Sequence, residues 1–298
     1  MELHFHNGAN FGDDINRDIF EFLSIPLGPG AILGIGSILG LKKFTTNENV
    51  YVFTSGFGGG QPGTYGAIPS DLSNYTFLAL RGPLTKKAIG IAAKEVDVLG
   101  DGALLAPIAI STTEKMTKIN SQVLLIPHVS TILRFPRIAD IARSLGIEFM
   151  DPRTSGCTAA QIVRNSDLII TEAMHGAILA DAFDVPHIAV TFSSDVNRFK
   201  WQDYYLSVGH GSFAPINIRP TVFDGDHRKM LLDSKKANYL EGPAKLYFAA
   251  STAMVKMQLN QILQRAKSLE RKADDAKIRL IQSELIECYS EFSKSSLI

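Results

Sequence analysis

Asp167-Leu-Ile-Ile-Thr171-Glu-Ala-Met-His175-Gly176-Ala-Ile-Leu-Ala-Asp-Ala-Phe-Asp-Val-Pro186-His187-Ile-Ala-Val190 is the stretch that decides the fold. The short apolar run Asp167 to Ile170 predicts a buried strand, and Ala177 to Phe183 predicts a helix. Val185-Pro186 closes that helix before a second apolar run, His187 to Val190. His175 is therefore expected at the carboxyl end of a strand and the amino end of a helix. Open α/β sheets bind ligands at that edge. A helix amino terminus offers free N–H groups and partial positive charge, which favour an anion. A histidine there can hydrogen-bond a phosphate or carboxylate, or exchange a proton with a substrate.

Similar units flank this one. Upstream, Leu3 to His6, Ala31 to Ile35, Tyr51 to Thr54, Tyr75 to Leu80 and Val96 to Leu99 predict strands, and each runs into a glycine-rich or polar loop. Helices are expected from about Ile15 to Leu23 and after Arg81-Gly82-Pro83. The polar segment Ser111 to Lys118 lacks apolar periodicity and reads as a linker. A second set begins at Val123 to Ile126, which ends in Pro127-His128. A helix over Ile138 to Leu145, a strand over Ile147 to Met150 and a helix over Thr158 to Arg164 follow, the last capped by Ser155 or Thr158. Strands alternating with helices predict parallel α/β sheets in two halves with a cleft between them. The expected boundaries are 1–112, 119–235 and a helical tail at 242–298. In that tail Met254, Val255, Leu259, Ile262, Leu263, Ala266 and Leu269 follow helical spacing, as do Ile278, Ile281, Leu285 and Tyr289. The tail reads as one packing helix and one solvated one. Homo-oligomer formation and docking on a membrane-bound complex are its other readings.

Composition narrows the function. Charge is balanced, with 30 Lys+Arg against 30 Asp+Glu, so nothing points to a nucleic-acid partner. Cys157 and Cys288 lie far apart, which argues against a disulfide framework and for a reducing compartment. No basic segment followed by an apolar core opens the chain, and no apolar run reaches the roughly 20 residues a membrane span needs. These features predict a cytoplasmic protein. His4 and His6 share a strand face, but no third ligand accompanies them, so no metal is expected. Gly34-Ile-Gly36-Ser-Ile-Leu-Gly40 has the wrong spacing for a dinucleotide loop.

The loops, in order, are Asn10-Phe-Gly12-Asp13, Gly36-Ser37-Ile-Leu, Ser55-Gly56-Phe, Arg81-Gly82-Pro83-Leu-Thr, Gly100-Asp101-Gly-Ala-Leu-Leu, Ile126-Pro127-His128, Met174-His175-Gly176-Ala-Ile-Leu-Ala and Phe199-Lys200-Trp201-Gln-Asp203-Tyr204. This ordered set resembles the polysaccharide pyruvyl transferase family. The resemblance implies two Rossmann-like domains, similar to the two-domain (glycosyltransferase-B-like) enzymes, with a C-terminal helical extension. It implies transfer of pyruvyl from phosphoenolpyruvate to hydroxyls of a bacterial surface polysaccharide, forming a ketal. Phosphoenolpyruvate is then a co-substrate, and no cofactor is needed. A lipid-linked acceptor would bring the chain to the inner face of the membrane. One departure is Ala173, where some family members carry an arginine two residues before the histidine.

The chemistry assigns expected roles. Phosphoenolpyruvate carries a phosphate and a carboxylate, so its site needs cationic and N–H donors. Ketal formation protonates the methylene carbon and deprotonates the attacking hydroxyl. His175 is expected to move the proton. Asp13 or Asp101 would orient or deprotonate the hydroxyl. Arg81, His128, Gly176 and Lys200 would hold the donor, and Asn10, Trp201 and Asp203 the acceptor. Two other readings stand: a nucleotide-sugar-dependent glycosyltransferase on the same architecture, and a degenerate, non-catalytic homologue. The first would need an acidic residue to hold the nucleoside; the second is favoured by Ala173 alone.

Overall fold

Leu168–Thr171 is a strand with every residue buried. Strands covered on both faces are continuously apolar, which is why this run shows no alternation. In the computed structural model, residues 1–41, 48–60, 65–110, 122–193, 196–218 and 243–296 are described, with 243–248 as backbone only. They form a mixed α/β protein around two parallel sheets. The first has strands β1 (Glu2–His4), β2 (Ala31–Leu33), β3 (Val50–Phe53) and β4 (Tyr75–Ala79), side by side in sequence order. The second has β5 (Val123–Ile126), β6 (Glu148–Phe149), β7 (Leu168–Thr171), β8 (His187–Thr191) and β9 (Ile216–Asn217), in the order β6-β5-β7-β8-β9. Every pair of these strands is parallel.

The second order matters for function. The chain steps from β5 outward to β6 and then crosses to β7 on the other side. The loops after β5 and β7 therefore leave in opposite directions and open a crevice at the carboxyl ends of the strands. His128 follows β5, and His175 follows β7.

Several sequence expectations need correction. Val96 to Leu99 is not a strand; it contributes one parallel bridge, Leu80 to Leu99. The helix after β7 begins earlier than expected, at Met174, so His175 lies inside its first turn. Asp184, at φ 59, ends this helix in the left-handed region before Val185-Pro186. Phe199 to Tyr204 belongs to a helix, Arg198–Val208, capped by Asn197. The segment read as a linker, 111–118, lies outside the described residues, as do the expected boundary positions 112, 119, 235 and 242.

The tail also differs from expectation, because neither helix is solvated all round. Pro243–Gln264 buries Val255, Leu259 and Ile262 against Ile138 and Ile141 beside the second sheet. Asp275–Ser295 buries Ile278, Ile281, Gln282, Leu285, Tyr289 and Phe292 in the core that both halves share. Tyr289 packs on Phe53 with ring centroids 4.8 Å apart. The Gln282 side chain donates to the Leu104 carbonyl at 2.7 Å. This last helix thus returns to brace the first sheet and the turn Gly102–Leu105. No helix among the described residues is long and apolar enough to cross a membrane.

Leu285 is fully buried and Leu280, on the same helix, is 57% exposed. Leu285→Ala should lower unfolding free energy by about 2–5 kcal/mol. Leu280→Ala should change it by less than about 0.5 kcal/mol. Urea denaturation of both variants checks the assignment of this helix to the core.

Candidate active site

The carboxyl ends of β5 and β7 meet the first half around one hollow. A cavity of about 440 Å³ is lined by Asn10, Tyr65, His128, Glu172, His175 and Lys200, among others. Another hollow of about 460 Å³, lined by Pro107, Ile108, Arg164 and Arg279, lies away from these groups and gathers no comparable set.

His175 is held from both halves. Its helix is buried from Met174 through Asp181, as an element apolar all round must be. Gly176 lets that helix approach β7: a Cβ there would come within 2.4 Å of Thr171 Oγ1. Its N–H bonds to the Ala173 carbonyl at 2.9 Å, so Gly176 serves packing and offers no donor to an anion. From the other half, Gly12 lies flat against the imidazole; a Cβ there would sit 1.9 Å from Nδ1. Asn10 caps the short helix Phe11–Asp14 by accepting from the Gly12 N–H. The cap thus sets the glycine against the ring.

Asp101 stands behind His175. Its Oδ1 accepts from the Ala103 N–H at 3.0 Å and caps the Gly102–Leu105 turn. Its Oδ2 lies 4.0 Å from His175 Nε2. Both atoms are buried without a hydrogen-bond partner, as is Thr54 Oγ1. Thr54 is held at φ 65, an unfavourable conformation for a β-branched residue and of a kind that clusters at functional sites. Burial, and then the Lys200 and Arg81 charges, pull His175 down to about 3. Burial, against the Ala103 hydrogen bond and the Arg81 and Lys200 charges, pushes Asp101 up to about 6. At neutral pH the imidazole is uncharged. The carboxylate opposite can stabilise positive charge that develops on it.

Lys200 projects from the first turn of its helix. Its Nζ donates to the Tyr65 hydroxyl at 3.2 Å and lies 5.1 Å from that ring's centroid. Among the described residues lining the cavity it is the only permanent cation. Asp13 is buried next to it. Burial raises its carboxyl, opposed by Lys200, His6 and the Asn10 hydrogen bond.

Arg81 and Asp203 do something else. Both are fully buried and bonded to each other, Nε to Oδ2 at 3.0 Å. The remaining Arg81 donors reach Ser37 Oγ at 2.6 Å and the Phe57 carbonyl at 2.7 Å. Asp203 Oδ1 also accepts from the N–H groups of Leu84 and Thr85, the start of helix Pro83–Ile89. Gly56 and Gly82 leave the space for this pair. Neither residue lines the cavity, so the arrangement gives them a clamping role between the halves, in place of donor and acceptor contacts. Trp201 is 2% exposed and stacked on Phe213 at 4.6 Å, which makes it a packing aromatic at the cavity floor.

His128 caps helix Val129–Arg134 through Nδ1, which accepts from the Ser130 N–H at 3.2 Å. Sequence reasoning assigned no role to Glu172. It is fully buried and accepts from the His128 and Phe192 N–H groups at 3.0 and 2.7 Å, and from Thr131 Oγ1 at 2.5 Å. Burial raises its carboxyl and these hydrogen bonds lower it. Glu172 ties the loops after β5, β7 and β8 together. Its position three residues before His175, at a strand end, was the available signal.

Fold and site together define an α/β protein with a buried histidine and a lysine in one cavity where two parallel sheets meet. No protein-family model matches the chain. It is similar to the succinoglycan biosynthesis protein ExoV of Rhizobium meliloti (strain 1021), with 33% identity over 213 residues. That match takes in 67% of this chain and 62% of the relative, so the chain spans somewhat under two thirds of the relative's length. Among solved structures, the solution structure of the E. coli RcsC C-terminus (residues 700–949), with linker region and phosphoreceiver domain, aligns with 80% of this chain and 90% of its own. At 14% identity and a TM-score of 0.22 it carries no argument.

Removing the Asp203 carboxylate leaves Arg81 charged and buried without a counter-ion. Asp203→Ala should therefore cost about 3–5 kcal/mol of stability. Chemical denaturation measures it; a loss below about 1 kcal/mol would show that the pair does not clamp the halves.

Proposed function

We propose that this chain is a transferase of bacterial surface-polysaccharide biosynthesis that moves pyruvyl from phosphoenolpyruvate to sugar hydroxyls. The carrying observation is a cavity where two parallel sheets meet that is lined by both His175 and Lys200, with the buried Asp101 carboxyl 4.0 Å from the imidazole. Similarity to a succinoglycan biosynthesis protein supports the class of pathway. The ordered loops of the pyruvyl transferase family supply the particular reaction.

In this reading Lys200 draws in the anionic donor. The hydroxyl oxygen bonds to C2 of phosphoenolpyruvate as C3 takes a proton and becomes the methyl group, so that no C3 carbanion forms. His175, which lines the cavity, relays the hydroxyl's proton to C3 in that concerted step. Asp101, 4.0 Å from His175 Nε2, stabilises the positive charge that develops on the imidazole during the relay. A second hydroxyl then displaces phosphate at C2, its proton leaving with the phosphate, and closes the ketal. The Tyr65 hydroxyl holds the Lys200 ammonium in position, and Asp13, whose carboxyl feels the Lys200 charge, orients the attacking hydroxyl. A nucleotide-sugar donor would need an acidic residue past the His175 helix to recognise its ribose, and the Val185-Pro186 region offers no glutamate for it.

Thermal denaturation with phosphoenolpyruvate and with a panel of nucleotide sugars tests the donor. At 100 times its dissociation constant a ligand stabilises by about 2.7 kcal/mol. Stabilisation by phosphoenolpyruvate, lost in Lys200→Met, is expected. Stabilisation by a nucleotide sugar instead would overturn the reading.

Asp101→Asn should separate activity from stability. Burial pushes the folded-state Asp101 carboxyl above its ordinary value of 3.8 to about 6, so the stability linked to its proton is present below about pH 4 and lost as pH rises through about 6. Asparagine keeps the cap on Ala103 and removes the buried charge. The variant should be more stable than the parent at pH 8, on the order of 1–3 kcal/mol, and lose that advantage at pH 4. Its turnover should fall by roughly 100-fold or more. A variant as active as the parent at pH 7 removes Asp101 from the mechanism.

A further inference from the structure

Asp181 sits at the other end of the His175 helix, about 9 Å along its axis. It faces two histidines that the proposed reaction does not use. His187 opens β8 and is fully buried. His210 follows helix Arg198–Val208 after Gly209, whose φ of 85 turns the chain back. His187 Nδ1 lies 3.4 Å from Asp181 Oδ1, and His210 Nε2 lies 2.9 Å from Oδ2. One ligand atom from each residue falls within 4.8 Å of the others.

Two atoms of this cluster are buried without a hydrogen-bond partner, His187 Nδ1 and Asp181 Oδ1. Such atoms are costly, and an ion is one of the standard explanations for them. Their 3.4 Å separation is too poorly aligned for a hydrogen bond between them. It does match the spacing of two ligands on one tetrahedral ion, about 3.3 Å for bonds of about 2.0–2.1 Å. Groups that would orient the ligands are also present. The Tyr205 hydroxyl lies 3.0 Å from His187 Nε2, and the Tyr204 hydroxyl donates to Asp181 Oδ2 at 2.5 Å. Ligating histidines almost always have their second nitrogen held in this way.

We infer that Asp181, His187 and His210 form a site for one divalent transition-metal ion. Two imidazoles and one carboxylate suit zinc, with a fourth position left for water. The ion would join the end of the His175 helix, the start of β8 and the turn after the Lys200 helix. It would therefore stiffen the two helices that present the cavity's histidine and lysine. The inference stands on the cluster alone and does not depend on the identity of the donor substrate.

The test uses the whole chain, stripped with a chelator, dialysed, and exposed to zinc(II) or cobalt(II). One equivalent of zinc should survive dialysis, raise Tm and be absent from His210→Ala, whose affinity should fall more than about 100-fold. His4→Ala should bind as the parent does. Bound cobalt should show the intense visible bands of a tetrahedral site, a readout that needs no variant. No retained metal in the parent, or equal retention by a folded His210→Ala, would overturn the inference. So would cobalt showing only weak octahedral bands.

Discussion

The buried Arg81–Asp203 pair is the interaction on which the rest of the arrangement depends. Arg81 follows β4, and Asp203 lies on a helix more than a hundred residues later. Taking both charges out of water is costly, so the pair persists only because every donor and acceptor is satisfied. Ser37, Phe57, Leu84 and Thr85 complete that set. Asp203 fixes the rotation of its helix, and Lys200, one turn earlier on the same face, is thereby directed into the cavity. A structural ion pair thus positions the cation that lines the cavity.

Burial then sets the protonation states. The Gly102–Leu105 turn packs on the His175 helix and brings Asp101 behind the imidazole, out of reach of solvent. Desolvation disfavours the charged form of each group, so the histidine stays neutral and the carboxyl holds its proton longer. Asparagine and glycine from the first half press the imidazole into place. The tail helix braces the turn that carries Asp101 through Gln282. Parts distant in sequence converge on one atom pair.

The strands up to β8 and the placement of His175 were legible in the sequence because parallel strands are short apolar runs and glycine-rich loops mark their ends, whereas the two-residue strand Ile216–Asn217 was too short to give that signal. Val96 to Leu99 had the same signature, yet it makes one bridge only. The roles of Arg81 and Asp203 were not legible, since a motif shows which residue types recur and not which face they turn. Trp201, expected to hold the acceptor, lines the cavity but is stacked on Phe213 and nearly buried, which no motif could show. One of the two tail helices was expected to be solvated, yet each keeps its apolar residues to a buried face. Asp181, His187 and His210 escaped notice because 29 residues separate the first from the last and no local spacing links them.

The most direct test of the account is the protonation state of His175. Its ring nitrogens can be followed by NMR against pH and assigned with His175→Gln. Burial against Gly12 and Asp101, under the charge of Lys200, predicts a neutral imidazole at every pH from 8 down to about 4. A ring that titrates near the ordinary histidine value of about 6.5 would contradict the account, because the imidazole would then be solvated and unpaired with Asp101.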